Sequence, residues 1–272
     1  MKRKLMLLAT CALLYCFAAV ALSGCATEQK KAELEIYAAN SLSEAMDEAQ
    51  KAYTEKNPNI TFADTQYEAS GTLVKKIESG GTPDAFISAN QKNMTNVVNG
   101  GYAEEGKPFN LFKNDLVIVT SENNTAIDSI TVEEALSGNY TVSIGDDNVP
   151  AGTYARQVFY NAGCYTSETG SNGEITGAMV GKVNQGDKVG SVCQYAQNGE
   201  VDLAFVYSSD VKRYGGVKVV CTVPSSMHKE IVYPATVMKN SENAEATEAF
   251  LKWCSEDAEA QKIWQKWGFE LA

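Results

Sequence analysis

The stretch Leu34-Glu35-Ile36-Tyr37-Ala38-Ala39-Asn40-Ser41-Leu42 runs as a short apolar strand and stops at a polar pair. Beyond it Leu42, Ala45, Met46, Ala49 and Tyr53 recur at helical spacing on one face. A serine thus stands where a buried strand gives way to a helix. The same event recurs at Ala69-Ser70-Gly71-Thr72-Leu73. A serine at a helix start offers its hydroxyl beside backbone N–H groups and the positive end of the helix dipole, a combination suited to an anion. Two such starts could converge on one anion.

Outward from these junctions the chain alternates strands and helices. Asn57-Pro58-Asn59 ends the first helix, and the pattern then predicts a strand over 60–67, a helix over 72–79, a strand over 84–88 and a helix over 91–99. Three successive strand–helix units argue for a parallel sheet with helices on its faces. A second set starts with Leu116-Val117-Ile118-Val119. It continues through a helix near 131–136, a strand over 140–144, a helix opened by Val149-Pro150-Ala151-Gly152-Thr153-Tyr154 and a helix over 187–197. Strands over 201–207 and 217–223, an extended segment over 230–238 and helices over 244–254 and 258–267 follow. These are too many units for one small sheet, so the reading is α/β with two lobes, each a mostly parallel sheet flanked by helices. Ligands in such sheets sit at the carboxyl ends of the strands, where Ser41 and Ser70 fall.

The N-terminus carries Lys2, Arg3 and Lys4, an apolar run over 5–22, and then Leu22-Ser23-Gly24-Cys25. This reads as a cleaved export signal over 1–24 rather than a retained anchor. The last four residues resemble the lipobox of bacterial lipoproteins, which makes Cys25 the lipidated first residue. Acyl chains contribute about 0.8 kcal/mol per buried CH₂, so several on one cysteine hold a chain to a membrane face. A polar linker over 25–32 then leads to the folded part. The chain holds 23 basic and 34 acidic residues for a net charge of −11, which deepens to −14 once the three cations of the signal are removed. Such a surface argues against nucleic acid, whose phosphates need basic partners. A small anion site is governed by its local donors instead. Of seven cysteines, Cys164, Cys193, Cys221 and Cys254 remain after Cys11, Cys16 and Cys25 are set aside. They have no C-x-x-C spacing and one histidine, His228, in the whole chain, which argues against a zinc site; one or two disulfides and buried free thiols both stay open.

Catalytic readings find little. There is no G-x-S-x-G, no G-x-x-x-x-G-K-[ST], and Asp146-Asp147 lacks the regular oxygen spacing of a calcium loop. His228 lies in a polar turn, Pro224-Ser225-Ser226-Met227-His228-Lys229. Binding finds more. Pro150 suits a first helical turn and Ala151-Gly152 let a ligand approach the N–H groups. Tyr207 closes the strand Ala204-Phe205-Val206-Tyr207 with a phenolic donor. Each of these has a bland explanation too: ordinary N-caps, a plain turn, a packed strand end.

Taken with Asp84-Ala85-Phe86-Ile87-Ser88-Ala89-Asn90, Phe205-Val206-Tyr207-Ser208-Ser209-Asp210, Tyr233-Pro234 and Trp267-Gly268-Phe269, the pattern resembles the molybdate- and tungstate-binding proteins of ABC importers. These form a family with a two-lobed periplasmic-binding-protein fold, and the matching segments run from Ile36 to Phe269. The resemblance implies an oxyanion held by Ser41, Ser70, Ala151, Val189 and Tyr207, with Val189 placed only by counting back from Tyr207. Asn40, Gly71, Asn90 and Ser208 stand where relatives often carry other residues. It further implies lobes over 33–110 with 230–272 and over 111–229, an exported monomer anchored through Cys25, an ABC permease as partner, no cofactor, and no catalysis. The ligand would be molybdate or tungstate. Roughly six donors at ~1.5–3 kcal/mol each are enough for sub-micromolar binding of such a dianion. A site of donors alone also leaves the proton of hydrogen phosphate unpaired. A receptor for sulfate, thiosulfate or phosphate is the alternative within this fold; a secreted serine hydrolase and a sensory or adhesive lipoprotein are alternatives outside it.

Overall fold

The opening stretch leads straight into the architecture in the computed structural model, which describes residues 31–272. The export signal over 1–24, the lipidation residue Cys25 and most of the 25–32 linker lie outside the described residues. The elements are β1 (Ala32–Leu34), β2 (Ile36–Ala39), a 3-10 turn at Asn40–Leu42, α1 (Ser43–Lys56), β3 (Ile60–Phe62), β4 (Gln66–Glu68), α2 (Ser70–Glu78), β5 (Ala85–Ile87) and α3 (Gln91–Asn99). Then come β6 (Phe109–Asn114), β7 (Leu116–Ser121), α4 (Val132–Ala135), β8 (Val142–Gly145), α5 (Pro150–Asn161), β9 (Val183–Gly186), α6 (Val189–Gln197), β10 (Leu203–Tyr207), α7 (Ser208–Tyr214) and β11 (Val217–Thr222). The chain closes with β12 (Ile231–Val237), α8 (Ala244–Glu256), α9 (Ala258–Lys266) and β13 (Glu270–Leu271).

Two larger sheets carry the site. One has six strands in the order β13-β6-β12-β5-β2-β4, the other five in the order β11-β7-β10-β8-β9. Strands β2, β5 and β10 are buried along their whole length, as central strands covered on both faces must be. The two-lobed α/β expectation is met, but the sheets are mixed rather than mostly parallel. Parallel pairing joins β4, β2 and β5 in one and β9, β8 and β10 in the other. The strands next to the crossings between sheets, β6 and β12 in one and β7 in the other, pair antiparallel. The reason is topological: a strand that returns from the other sheet enters against the direction of those it joins. Strand β6 stays in the first sheet through Asn114, so residues 111–114 belong there by pairing. The strand expected over 60–67 is broken, because β3 pairs with β1 and β4 with β2. Gln50 Nε2 donates to Thr65 Oγ1 at 2.8 Å and fixes the link between them.

Register decides where the site forms. Ala39 lies opposite Glu68 in the parallel pair of β2 and β4, so Asn40-Ser41 and Ala69-Ser70 leave the sheet side by side. In the other sheet Gly145 lies opposite Gly186, which sends α5 and α6 off the same edge, and β10, parallel to β8, ends at Tyr207. Trp264, fully buried, stacks tilted on Phe112 at 4.1 Å, and Phe269 meets Tyr233 edge-on at 5.4 Å, so the C-terminal segment holds β6 and β12 in place. Cys164, Cys193, Cys221 and Cys254 are all free thiols. Burial pushes the Cys193 thiol up to about 12, which keeps it an inert packing group.

Candidate functional site

Four helical starts point at one place. Their cap positions are Ala39 before the 3-10 turn, Ala69 before α2, Val149 before α5 and Lys188 before α6, and none makes a side-chain capping hydrogen bond. Three helices elsewhere are capped by a side chain, α3 by Asn90, α4 by Thr131 and α9 by Asp257, while α1 and α8 are not. Ser41 and Ser70 are therefore not N-caps. They sit inside the first turn, where their own N–H groups, like those of Ala151 and Val189, have no acceptor within the helix. Ser41, Ser70, Ala151, Val189 and Tyr207 all line one small cavity of about 10 Å³ between the two sheets. All five residues named from the sequence are thus brought together, including Val189, which rested on counting alone.

The hydroxyl groups are differently committed. Ser70 Oγ accepts from Ala89 N–H at 3.0 Å, which leaves its own proton to give. Ser41 Oγ lies 2.9 Å from the hydroxyl of Tyr233. The Tyr207 hydroxyl is buried and has no hydrogen-bond partner. Burial, and then the nearby Tyr233, Tyr154 and Asp210, hold its pKa well above the ordinary value, so it remains a proton donor. An unmet buried polar group costs about 1–3 kcal/mol and calls for an explanation, of which a ligand is one. Behind it, Asp210 is fully buried and accepts from Tyr207 N–H at 3.0 Å. Burial raises its pKa to about 7 against the pull of Arg213.

Sequence reading missed the residues that brace this cavity. Arg156 on α5 is buried and donates to the carbonyls of Gly145 and Gly170 at 2.9 Å each and of Asp146 at 3.1 Å. It thereby holds the loop that aims Ala151. A Cβ at Gly152 would lie 2.0 Å from the Gly145 carbonyl oxygen, so glycine is what lets α5 start against the end of β8. Residues of the two sheets also tie to each other. Gly71 N–H donates to Asn148 O at 3.0 Å, Lys75 to Asn148 Oδ1 at 2.7 Å, and Lys92 to Ser171 at 3.0 Å. On the other flank Asn40 Oδ1 accepts from Gly190 N–H and from Arg213, both at 3.3 Å, and Arg213 pairs with Glu44. Asn40 so caps α6 from the opposite half of the molecule. His228 is half-buried against the Lys229 carbonyl and the Tyr154 ring, outside the lining of the cavity.

A family model described as bacterial extracellular solute-binding protein matches residues 34–270. The chain belongs to that family. The chain is 30% identical over 245 residues to the molybdate-binding protein ModA of Escherichia coli, covering 88% of this chain and 89% of that one. Among solved structures it is similar to the periplasmic molybdate-binding protein of Azotobacter vinelandii, with a TM-score of 0.70, 19% identity and coverage of 88% of this chain and 99% of that chain. The sulfate-binding protein SubI of Mycobacterium tuberculosis is as near in shape, with a TM-score of 0.70, 16% identity and coverage of 88% and 87%. At these identities the two structures speak for the fold alone.

Proposed function

We propose that this protein is the solute-binding component of an ABC importer, tethered outside the cell membrane through Cys25, and that it captures molybdate or tungstate without chemical change. The observation that carries the reading is the buried, unpartnered hydroxyl of Tyr207 in a cavity lined from four helical starts whose own cap residues make no side-chain capping bond. Ser41 and Ser70 give hydroxyl and backbone protons, Ala151 and Val189 give backbone protons, and Tyr207 gives its phenol. A dianion stripped of water is stable only if fixed hydrogen bonds replace its hydration. Donors that belong to both sheets reach it together only in the closed form, so the ligand stabilises closure, and closure is what a permease reads. In this reading one lobe spans 33–114 with 230–272 and the other 115–229, residues 111–114 going with β6 to the first lobe rather than the second. His228 lies outside the lining that holds both serines and so is not placed to activate either of them for hydrolysis.

A second reading, a sulfate receptor, is favoured by one observation: the cavity of about 10 Å³ is tight, and sulfate is the smaller anion. Isothermal titration with sodium molybdate, tungstate, sulfate, thiosulfate and phosphate separates the two. Sub-micromolar molybdate and tungstate binding with much weaker sulfate supports the first reading. Tight sulfate binding with no molybdate heat replaces it with the second.

A further inference from the structure

The two serine hydroxyls at the cavity do not have equal freedom, and the polarity of Ser41 is set from a distance. Asn114, at the end of β6, is buried, and its Oδ1 accepts from the backbone N–H of Asp115 at 3.0 Å and from Ser208 Oγ at 2.7 Å. A backbone N–H can only donate, so the amide oxygen is the atom on that side and its orientation is fixed. The NH₂ group then faces the other way, giving protons to Ser209 Oγ at 2.8 Å and to the Tyr233 hydroxyl at 3.3 Å. Tyr233 is fully buried, and Ser41 Oγ, 2.9 Å away, is the acceptor within reach of its own proton. If Ser41 instead gave its proton to Tyr233, the buried phenol proton would be left with no acceptor among the described residues, an arrangement that buried hydroxyls avoid.

We infer that Asn114 and Tyr233 are positioning residues that make Ser41 a donor toward the cavity and so bias the site toward oxyanions that carry no proton. The inference rests on the oxyanion reading and names the subset of oxyanions it admits. The chain of donation runs from Asn114 Nδ2 to Tyr233 to Ser41, and Ser41 passes its proton to the ligand. Ser70 is locked in the same sense by Ala89 N–H. Tyr207 alone keeps a hydroxyl of unfixed polarity. Molybdate, tungstate and sulfate are bare at neutral pH, whereas phosphate and arsenate retain a proton that needs an acceptor. With both serines turned to donate, that proton meets at most Tyr207, and then at the loss of a donor.

The test measures dissociation constants for molybdate, sulfate and phosphate near pH 8 on the whole secreted domain. Tyr233→Phe removes the proton given to Ser41 and frees its oxygen to accept. The expected result is molybdate binding about 5–20-fold weaker, with the ratio of phosphate to molybdate dissociation constants falling about tenfold. Asn114→Asp reverses the relay, since a carboxylate accepts from Tyr233 and turns the phenol oxygen toward the Ser41 proton. Its added charge weakens all three anions, but phosphate least. Tyr53→Phe, a buried tyrosine packed on Phe250, reports generic effects and is expected to leave the ratios as they are. If both relay variants weaken molybdate, sulfate and phosphate in equal proportion, the inference is wrong. Should Tyr233→Phe fail to fold, the ratio in Asn114→Asp decides. Wild-type protein that binds none of the three anions overturns the oxyanion reading itself.

Discussion

Tyr207→Phe should move stability and affinity in opposite directions. The phenol hydroxyl is buried with no partner, so deleting it removes an unmet polar group and leaves the ring in its edge-on contact with Tyr233 at 5.9 Å. Relief of that group is worth about 1–3 kcal/mol, and for a domain of this size each kcal/mol raises Tm by about 2–4 °C. The same hydroxyl is a proposed donor to a dianion, so its loss costs about 1.5–3 kcal/mol of binding, or about 10- to 150-fold in Kd. Ligand then sets the two effects against each other. At a free molybdate concentration 100 times the wild-type Kd, wild type gains about 2.7 kcal/mol, while a variant weakened about 30-fold gains only about 0.9 kcal/mol. With a relief of about 1 kcal/mol, the variant melts above wild type without ligand and below it with ligand. Paired thermal melts with and without sodium molybdate, plus titration calorimetry, read both quantities. A variant that melts lower without ligand and binds molybdate as tightly as wild type would refute the assignment of Tyr207.

Ser70→Ala is expected to show the contrasting pattern: it strands Ala89 N–H, bound at 3.0 Å, so the unliganded protein loses about 1–3 kcal/mol while affinity falls at least tenfold by titration. Gly152→Ala drives a Cβ to 2.0 Å from the Gly145 carbonyl oxygen; separating α5 from β8 should cost about 1–3 kcal/mol in denaturant melts and carry Ala151 away from the ligand, so that affinity drops as well. Asp210 has a folded pKa raised from 3.8 to about 7, so between those values the folded state holds the extra proton and stability falls as pH rises. Asp210→Asn should remove up to about 3 kcal/mol of that fall between pH 5 and pH 8, which a wild-type-minus-variant comparison of Tm at pH 5 and pH 8 reads; equal slopes would count against a buried, proton-holding Asp210.

The parts of the fold that sequence patterns carry are those whose signal is local. Helix α3 falls at Gln91–Asn99, its expected bounds, because Asn90 caps it and Gly100-Gly101 end it within a dozen residues. The strand–serine–helix junctions likewise hold their whole meaning in seven or eight residues. Strand β9 was missed because Val-Asn-Gln-Gly is an edge strand whose two middle residues are exposed, so it shows no apolar alternation. Strand β6 was missed because its partner β12 lies more than a hundred residues on and no turn announces the pairing. The same distance hid the bracing of the site. Asn114 and Tyr233 are 119 residues apart, Ser41 and Tyr233 are 192 apart, and Arg156 looks like any helix-face arginine until Gly145 and Gly170 are folded around it. The residues that line the cavity were legible; those that brace it were not.

The ties between the two sheets set how much a ligand can do. Moving a two-state protein from mostly open to mostly closed takes about 5.5 kcal/mol of differential binding. Every contact across the cleft that forms without ligand lowers that requirement, and too many would close the protein whatever the solution contains. The observed ties fit a restrained closure. Lys75 with Asn148 and Lys92 with Ser171 are exposed pairs, and solvent-exposed charged contacts contribute about 0–1 kcal/mol each. The more protected tie runs through Asn40, Arg213 and Glu44, where Asn40 caps α6 at Gly190. That cap takes one N–H of the helix start and not the neighbouring Val189 N–H, so the two halves meet on the same helix end to which the proposed reading assigns the ligand. Cutting this tie with Asn40→Ala should therefore lower the closed population and weaken every oxyanion by the same factor. The relay through Tyr233 acts on their ratio instead, and comparing the two variants separates closure from selection.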